Sequence, residues 1–585
     1  MHTALISREL RPAIATAGVL AAAAPALLAY NLSPSPTFLN QALAVGLWGV
    51  FVALAPAQRP GHGAWAVMAA LGLMAAAVLW SWGPGGLPAS LALSALGSLA
   101  AAAVMLAAGS GARNARACED LFALFCLGWL AAGVLNAGVA VVQVFAPGLA
   151  DGDWIAHSSI PGRAVGNLRQ PNHLSSLLLW AGIAVVALAE LRRIGPRLAS
   201  GLLALMVFGV VLTASRTGLV SVLLLALWGG ADSRLSRSTR CLLLAAPLAY
   251  AAAWWGMAQW AAVSSHSFGG AARLAESDIS GSRFGIWANT LALLRQQPWA
   301  GVGWGEFNFA WSLTPFPGRP TAFFDHTHNL PLQLAVELGL PLAALVMALL
   351  LWGLWRAART AWARPGTLGA AQRCALVMVL MIGLHSLLEY PLWYAYFLLP
   401  AAWAWGFALG RPTTSPARSR ALPLAGLALA AGAVFSVWDY QRVAAIFSAP
   451  EGAEPLAQRI AAGQHSLFFA HHADYAAVTS TAPPASDSAA FDRAAHYLLD
   501  TRLMTAWARH LAERGELDAA RHLAARLREF GRAETGDFFS DCTDGGAADT
   551  PPKAAAPGSF AAAASAPFQC GAPLRAPGWR EYLPH

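Results

Sequence analysis

Asp325-His326-Thr327-His328-Asn329-Leu330-Pro331, followed by the apolar run from Leu332 to Trp355, decides how this chain is read. The run is long enough to cross a hydrocarbon core of roughly 30 Å. Titratable imidazoles stand where a water-compatible loop enters that span. A polar nucleophile and a lipid-borne substrate can meet at such a boundary.

The surrounding composition agrees. Of 585 residues, 57% are hydrophobic and only 12% are charged, which is too little charge for the surface of a soluble domain of this length. Further apolar runs place spans near 12–30, 40–57, 64–83, 87–109, 119–147, 172–190, 198–214, 217–230, 241–263, 329–355, 374–389, 391–409 and 421–440. The fold class is all-α: a polytopic membrane protein with about 13 transmembrane helices. Arg8 and Arg11 before an Ala-rich run resemble a signal peptide. With so many spans following, the segment reads as an uncleaved first helix.

Charge tests the count. The formal net charge is +8, and Lys553 is the only lysine, so arginine supplies nearly all the positive charge. With the N-terminus in the cytoplasm and spans alternating, Arg59, the Arg113/Arg116 and Arg192/Arg193/Arg197 loops, and those of Arg234/Arg237/Arg240, Arg356/Arg359/Arg364 and Arg411/Arg418/Arg420 all fall inside. Every Arg-dense short loop shares one side, as the positive-inside rule requires. The positive charge therefore indicates topology rather than nucleic acid.

Three segments fall outside: 148–171, the long loop 264–328 and the tail 441–585. In the loop, Ser282 to Gln297 sets Phe284, Trp287, Leu291 and Leu294 at helical spacing, which predicts an amphipathic helix ended by Pro298. A Gly-rich turn, Gly301 to Gly305, follows. In the tail, Met504 to Phe530 reads as two amphipathic helices joined at Gly515, like one tetratricopeptide hairpin, which cannot bury a core alone. Beyond Asp541 the Ala/Pro/Gly/Ser-rich composition predicts disorder. This gives a membrane domain at 1–440, a helical region at 441–541 and a tail at 542–585. Cys118, Cys126, Cys241 and Cys374 read as inert packing residues. Cys542 and Cys570 are able to pair if the tail lies in an oxidising compartment.

The chemistry-bearing residues cluster on the outer side. His328 is placed to act as a general base near neutral pH, with Asn329 capping the next helix or orienting the imidazole. The competing reading is interfacial hydrogen bonding alone. Asp325 and His326 hint at a metal, but their spacing matches no zinc signature and a third ligand is missing. Arg216, in Thr213-Ala214-Ser215-Arg216-Thr217-Gly218, is an outer-side cation against the inside trend, and its planar fork suits phosphate oxygens. Arg283 stands at the predicted N-terminus of the loop helix, itself favourable to anions. Ordinary turn and surface arginines are the alternatives. Arg163 and Arg169 are weaker cases. Gly166-Asn167-Leu168-Arg169-Gln170-Pro171-Asn172-His173 reads as a binding segment or a polar helix cap. His385 and Glu389 are i,i+4 on one helix face. Tyr390 and Tyr394 follow, and an aromatic belt would explain them equally. Glu337 lies inside a span. The sequence has no GxxxxGK[ST] loop, HExxH or Cys cluster, so no cofactor and no metal are expected.

At these residues the chain resembles the O-antigen ligase and polymerase superfamily, over roughly 10–440. The matching pieces are GNLRQPNH (166–173), TASRTG (213–218), GSRFGIWANTLALLRQQPWAGVGWGEF (281–307), DHTHNLPLQLAVELGLP (325–341) and EYPLWYAYFLLP (389–400). Within it, QPNH and the Tyr-Pro-Leu segment are similar to the bacterial protein O-oligosaccharyltransferases. The resemblance implies glycan transfer from undecaprenyl pyrophosphate to Ser/Thr hydroxyls of pilin or other periplasmic proteins, at the inner membrane, with active site and C-terminus periplasmic. It implies His328 as the catalytic residue, Arg216 and Arg283 on the pyrophosphate, and Gln170, Asn329 and Tyr390 positioning sugar or acceptor; Tyr394 is the alternative to Tyr390. The partners would be the lipid-linked glycan, the acceptor protein and the bilayer, with no nucleic acid. A sugar acceptor, as in an O-antigen ligase or polymerase, is the nearest rival. A transporter would instead show ionisable residues near mid-membrane and inverted repeats, and a scaffold acting through its helical tail would leave His328 and both arginines dispensable.

Overall fold

The computed structural model describes residues 12–583 except 57, 265, 271–280, 322, 411–416, 481–487, 532–534, 543–566 and 576. Arg8, Arg11, Arg411 and Lys553 therefore lie outside the described residues. Among the described residues the named elements are all helical. Nine of these helices are long and apolar enough to cross a membrane, and four shorter apolar helices occupy the remaining expected positions. The chain is an all-α, multi-pass membrane protein.

Two compact units emerge, and each is described by itself. One comprises residues 1–75, 96–277 and 345–438; the other comprises 76–95, 278–344 and 439–585. The division differs from a simple cut at 440, because part of the long loop shares a core with the tail.

In the first unit the core is built from ring against ring. Trp403 packs on Phe125 at 4.5 Å, Phe122 on Phe407 at 4.8 Å, and Trp129 on Trp180 at 4.7 Å. Small residues let the backbones approach. A Cβ on Gly109 would meet the Trp403 carbonyl oxygen at 2.0 Å, the close packing that helix pairs in lipid rely on. Cys118, Cys126 and Cys374 are buried as expected, whereas Cys241 is exposed. Arg373 and Asp232 form a fully buried charge pair here, the arginine donating at 2.7 Å.

In the second unit the loop helix is Gly281–Gln296, and its buried stripe keeps Leu294 and the partly buried Trp287 of the expected four but not the other two. Phe284 and Leu291 are exposed, while Ile286 and Leu293 are buried. The polar Asn289 and Thr290 turn inward with their groups satisfied. Asn289 accepts from Trp311 Nε1 at 3.1 Å, and Thr290 donates to the Ile286 carbonyl at 2.6 Å. The short helix Phe307–Leu313 then joins one core with the tail helices Ser488–Tyr497, Thr501–Glu513 and Leu517–Phe530. Arg319 fastens that core. It pairs with Glu529 at 3.1 Å and lies over the Phe530 ring at 4.5 Å; burial lowers its pKa to about 10. Gly515 turns the tail hairpin at φ 80°. The expectation of a structureless tail fails for Pro567 onward. Phe568 and Tyr582 pack on this core, Trp579 is buried in it, and Cys542 is bonded to Cys570. The apolar rings Trp507 and Phe309 meet Tyr582 and Trp579, which composition alone does not reveal.

The span starting at Leu330 is not one straight rod. Within Leu330–Ala363, Gly339 takes φ 75° and ψ 162°, just before Pro341. Proline cannot donate to the ladder and breaks it. The freed carbonyls are satisfied from the Gly-rich turn: Val302 donates to Val336 at 2.8 Å and Gly303 to Glu337 at 3.1 Å. A Cβ on Gly339 would meet the Trp299 carbonyl oxygen at 2.3 Å.

Two outcomes follow. Gly339→Ala combines a left-handed alanine with a backbone clash, each costing about 1–2 kcal/mol or more. Its melting temperature in detergent should fall several degrees below that of the wild type. The second concerns His496, whose Nδ1 lies 2.8 Å from the Glu306 carboxylate. Burial pushes this imidazole down, but Glu306 outweighs it and leaves the pKa above 6.5. The pair's contribution is thus fully present below the unfolded value and is lost as pH rises through the folded one. Melting curves of wild type and Glu306→Gln, taken between about pH 5.5 and 8.5, should differ most at the acid end and converge above it.

Candidate active site

In the first unit, Gln170 and Arg216 start two helices that are tied together. Gln170 caps Pro171–Glu190, its Oε1 accepting from the His173 amide at 2.7 Å with Pro171 in the first turn. Arg216 is the first residue of Arg216–Ala231. Ser215 caps that helix, accepting from the Gly218 amide at 3.0 Å. The same Ser215 hydroxyl donates to Asn172 Oδ1 at 2.6 Å. Arg163 Nε donates to the Thr213 carbonyl at 3.0 Å, fastening the segment before Gln170 to this turn. Opposite stands Glu389, buried, accepting from Gln170 Nε2 and from Asn172 Nδ2 at 2.6 Å each. The polar-cap reading of residues 166–173 therefore holds for Gln170, and the residue also reaches Glu389. Tyr390 is half-buried, with its ring 6.2 Å from Tyr394, whose own ring is 4.6 Å from His173.

His173, His385 and Glu389 also form the group of donors able to hold a metal among the described residues, with ligand atoms within 4.8 Å of one another. Tetrahedral zinc with bonds near 2.0–2.1 Å needs donors about 3.4 Å apart. The histidines already use Nδ1: Tyr396 meets that of His173 at 3.2 Å and Ser176 that of His385 at 2.8 Å.

In the second unit, the backbone just before His328 and Asn329 is tied to the helix that carries Arg283. Asn329 Oδ1 accepts from the Leu332 amide at 3.0 Å, so this residue caps the helix. Of the two roles left open for it, capping is the one observed. Gln333 reaches back to the Thr327 amide at 2.8 Å, and Trp287 Nε1 donates to the Thr327 carbonyl at 2.9 Å. Arg283 lies one turn before Trp287 on the same helix and is half-buried. His328 is half-buried, edge-on to Phe324 with ring centroids 5.4 Å apart. His326 Nδ1 is 3.1 Å from Asp325. Burial raises the Asp325 pKa, but the charges of His326 and His328 outweigh it and hold the carboxyl below its ordinary range. An ionised carboxylate at this place stabilises any imidazolium that forms beside it.

Backbone strain marks these places. Four non-glycine residues have positive φ among the described residues: Arg169, Arg192, Ala214 and His328. Arg169 immediately precedes Gln170, Ala214 lies two residues before Arg216, and His328 is itself at φ 55°. Such conformations cluster where function over-determines the chain. Sequence reasoning misses Ser215 and Asn172, although a serine before the start of an apolar run is a helix-start signal.

Comparison with known proteins adds the following. Residues 201–347 match the O-antigen ligase family, 374–535 match the C-terminal region of a virulence factor membrane-bound polymerase, and 164–189 match a protein glycosylation ligase. All six expected site residues lie inside a matched stretch. A general O-oligosaccharyltransferase of Acinetobacter baylyi is 26% identical over 325 residues, covering 52% of this chain and 53% of the relative. A ComP-specific O-oligosaccharyltransferase of the same organism is 25% identical over 281 residues, covering 47% of each. The chain spans about half the length of the curated relatives it matches.

Proposed function

We propose that this chain, which these matches support as an O-oligosaccharyltransferase of the O-antigen ligase superfamily, moves a glycan en bloc from undecaprenyl pyrophosphate to Ser or Thr hydroxyls of periplasmic proteins, pilins among them. The observation that carries this reading is His328, held at φ 55° where the loop enters a membrane-spanning helix, with ionised Asp325 in its field. His328 takes the hydroxyl proton as that oxygen forms its bond to the anomeric carbon. The bond from that carbon to the pyrophosphate breaks, and its electron pair leaves on the pyrophosphate. Arg216 and Arg283 are assigned to the charge developing there. Gln170 and Tyr390 position sugar or acceptor, and Asn329 acts through the backbone beside His328. A single displacement inverts the anomeric carbon. No metal or nucleotide enters the scheme.

The location proposed is the bacterial inner membrane, with the site and the 441–585 region periplasmic. Arg-dense turns on one side support that orientation, as does the Cys542–Cys570 bond, which suits an oxidising compartment. The domains would then be a catalytic membrane region at 1–440 with a periplasmic loop at 264–328, and a helical periplasmic region at 441–541. The matches at 201–347 and 374–535 also favour a second reading, the same chemistry with a sugar acceptor.

The test supplies a lipid-linked glycan and a pilin-type acceptor in a cell lacking its own ligase. Protein glycosylation should appear with the intact chain and fall by about 10²-fold or more with His328→Ala at equal membrane abundance. Glycan on lipid A core, or lengthened lipid-linked chains, would move the reading to the sugar acceptor. Equal transfer by His328→Ala would overturn the base assignment.

A further inference from the structure

Glu389 is only 7% exposed, and its partners make it more than a packing residue. A buried carboxylate is costly unless its oxygens are hydrogen-bonded. Here Oε2 accepts from Gln170 Nε2 and Oε1 from Asn172 Nδ2, both at 2.6 Å, and His385 Nε2 lies 3.4 Å from Oε2. The two carboxamides are the N-cap and a first-turn residue of Pro171–Glu190, at the positive end of that helix.

An ionised carboxylate only accepts, whereas a carboxamide has one accepting and one donating end. Glu389 therefore fixes which way both carboxamides point. Gln170 must turn its oxygen to the His173 amide, and Asn172 must turn its oxygen to the Ser215 hydroxyl. Ser215 in turn caps the helix that begins at Arg216. One acceptor at the far end thus sets the sense of every hydrogen bond down to the arginine.

We propose that Glu389 is a positioning residue: it sets the polarity of the Gln170–Asn172–Ser215 chain and so holds Gln170 and Arg216 in register for the pyrophosphate leaving group. This rests on the transferase reading above. Glu389→Gln keeps the shape but puts an NH2 against one of the two carboxamide NH2 groups. One carboxamide must flip and abandon either the His173 amide or the Ser215 hydroxyl. Adding Asn172→Asp restores a complementary chain. The new carboxamide at position 389 then accepts from Gln170 and donates to the new carboxylate at position 172, which still accepts from Ser215.

The experiment uses the full chain in nanodiscs with an undecaprenyl-pyrophosphate oligosaccharide and a pilin-type acceptor. Glu389→Gln should lower kcat about tenfold to 10²-fold, the scale of a small misplacement, with the acceptor KM within about twofold of wild type. The double variant should recover most of the lost kcat. Amide exchange should quicken in the single variant at His173 if Gln170 flips, or at Gly218 if Asn172 flips and loosens the Ser215 cap, and should return to the wild-type rate in the double. That readout holds even if the wild type proves inactive on this donor and acceptor, an outcome that would count against the transferase reading alone. Unchanged kcat and exchange in Glu389→Gln would overturn the proposal. So would a double variant no better than the single one, or one zinc per wild-type chain that is lost with Glu389→Gln.

Discussion

In hydrocarbon every backbone N–H and C=O must find a partner inside the protein. That constraint governs where this chain may stop being helical. The helix ending at Thr213 is closed by left-handed Ala214 and the next is opened by Ser215, whose side chain supplies the cap. The break at Gly339 is filled by amides of Val302 and Gly303. The residues assigned to chemistry sit near such repaired interruptions, where polar side chains are already required at the edge of the apolar layer.

The polar groups at such breaks do not act singly. Around Gln170 they form a directed chain from a carboxylate to a helix N-terminus. Around His328 they run from Gln333 through Thr327 to Trp287. In both cases a helix cap and a substrate-facing candidate are neighbours in sequence, so rigidity of the cap fixes the candidate's backbone. The cost is visible as positive φ at Arg169, Ala214 and His328.

Much of this is legible in the sequence, because a span must be apolar for about 20 residues and this leaves little freedom in where it lies. The segments around Gln170, Arg216, Arg283 and His328 stand out because polar residues there interrupt apolar runs. The differences arise where long-range contacts decide. The loop helix turns Ile286 and Leu293 inward rather than Phe284 and Leu291, since two stripes share the same period and the tail core selects one. The tail past Pro567 is packed through three aromatic rings in an otherwise low-complexity stretch. In the sequence Glu389 reads only as a partner of His385 on its own helix, because nothing in one dimension joins it to Gln170, 219 residues away.

The Gly-rich turn beside Gly339 has an evolutionary consequence. Its amides complete the hydrogen-bond pattern of a helix that proline has interrupted, and Leu340 donates back to the Pro298 carbonyl at 2.8 Å. The turn is thus held at both ends by one break and cannot gain or lose a residue without unpairing buried carbonyls. Length variation among descendants of this sequence is therefore barred from 298–306, and insertions that enlarge the 264–328 loop must enter elsewhere in it.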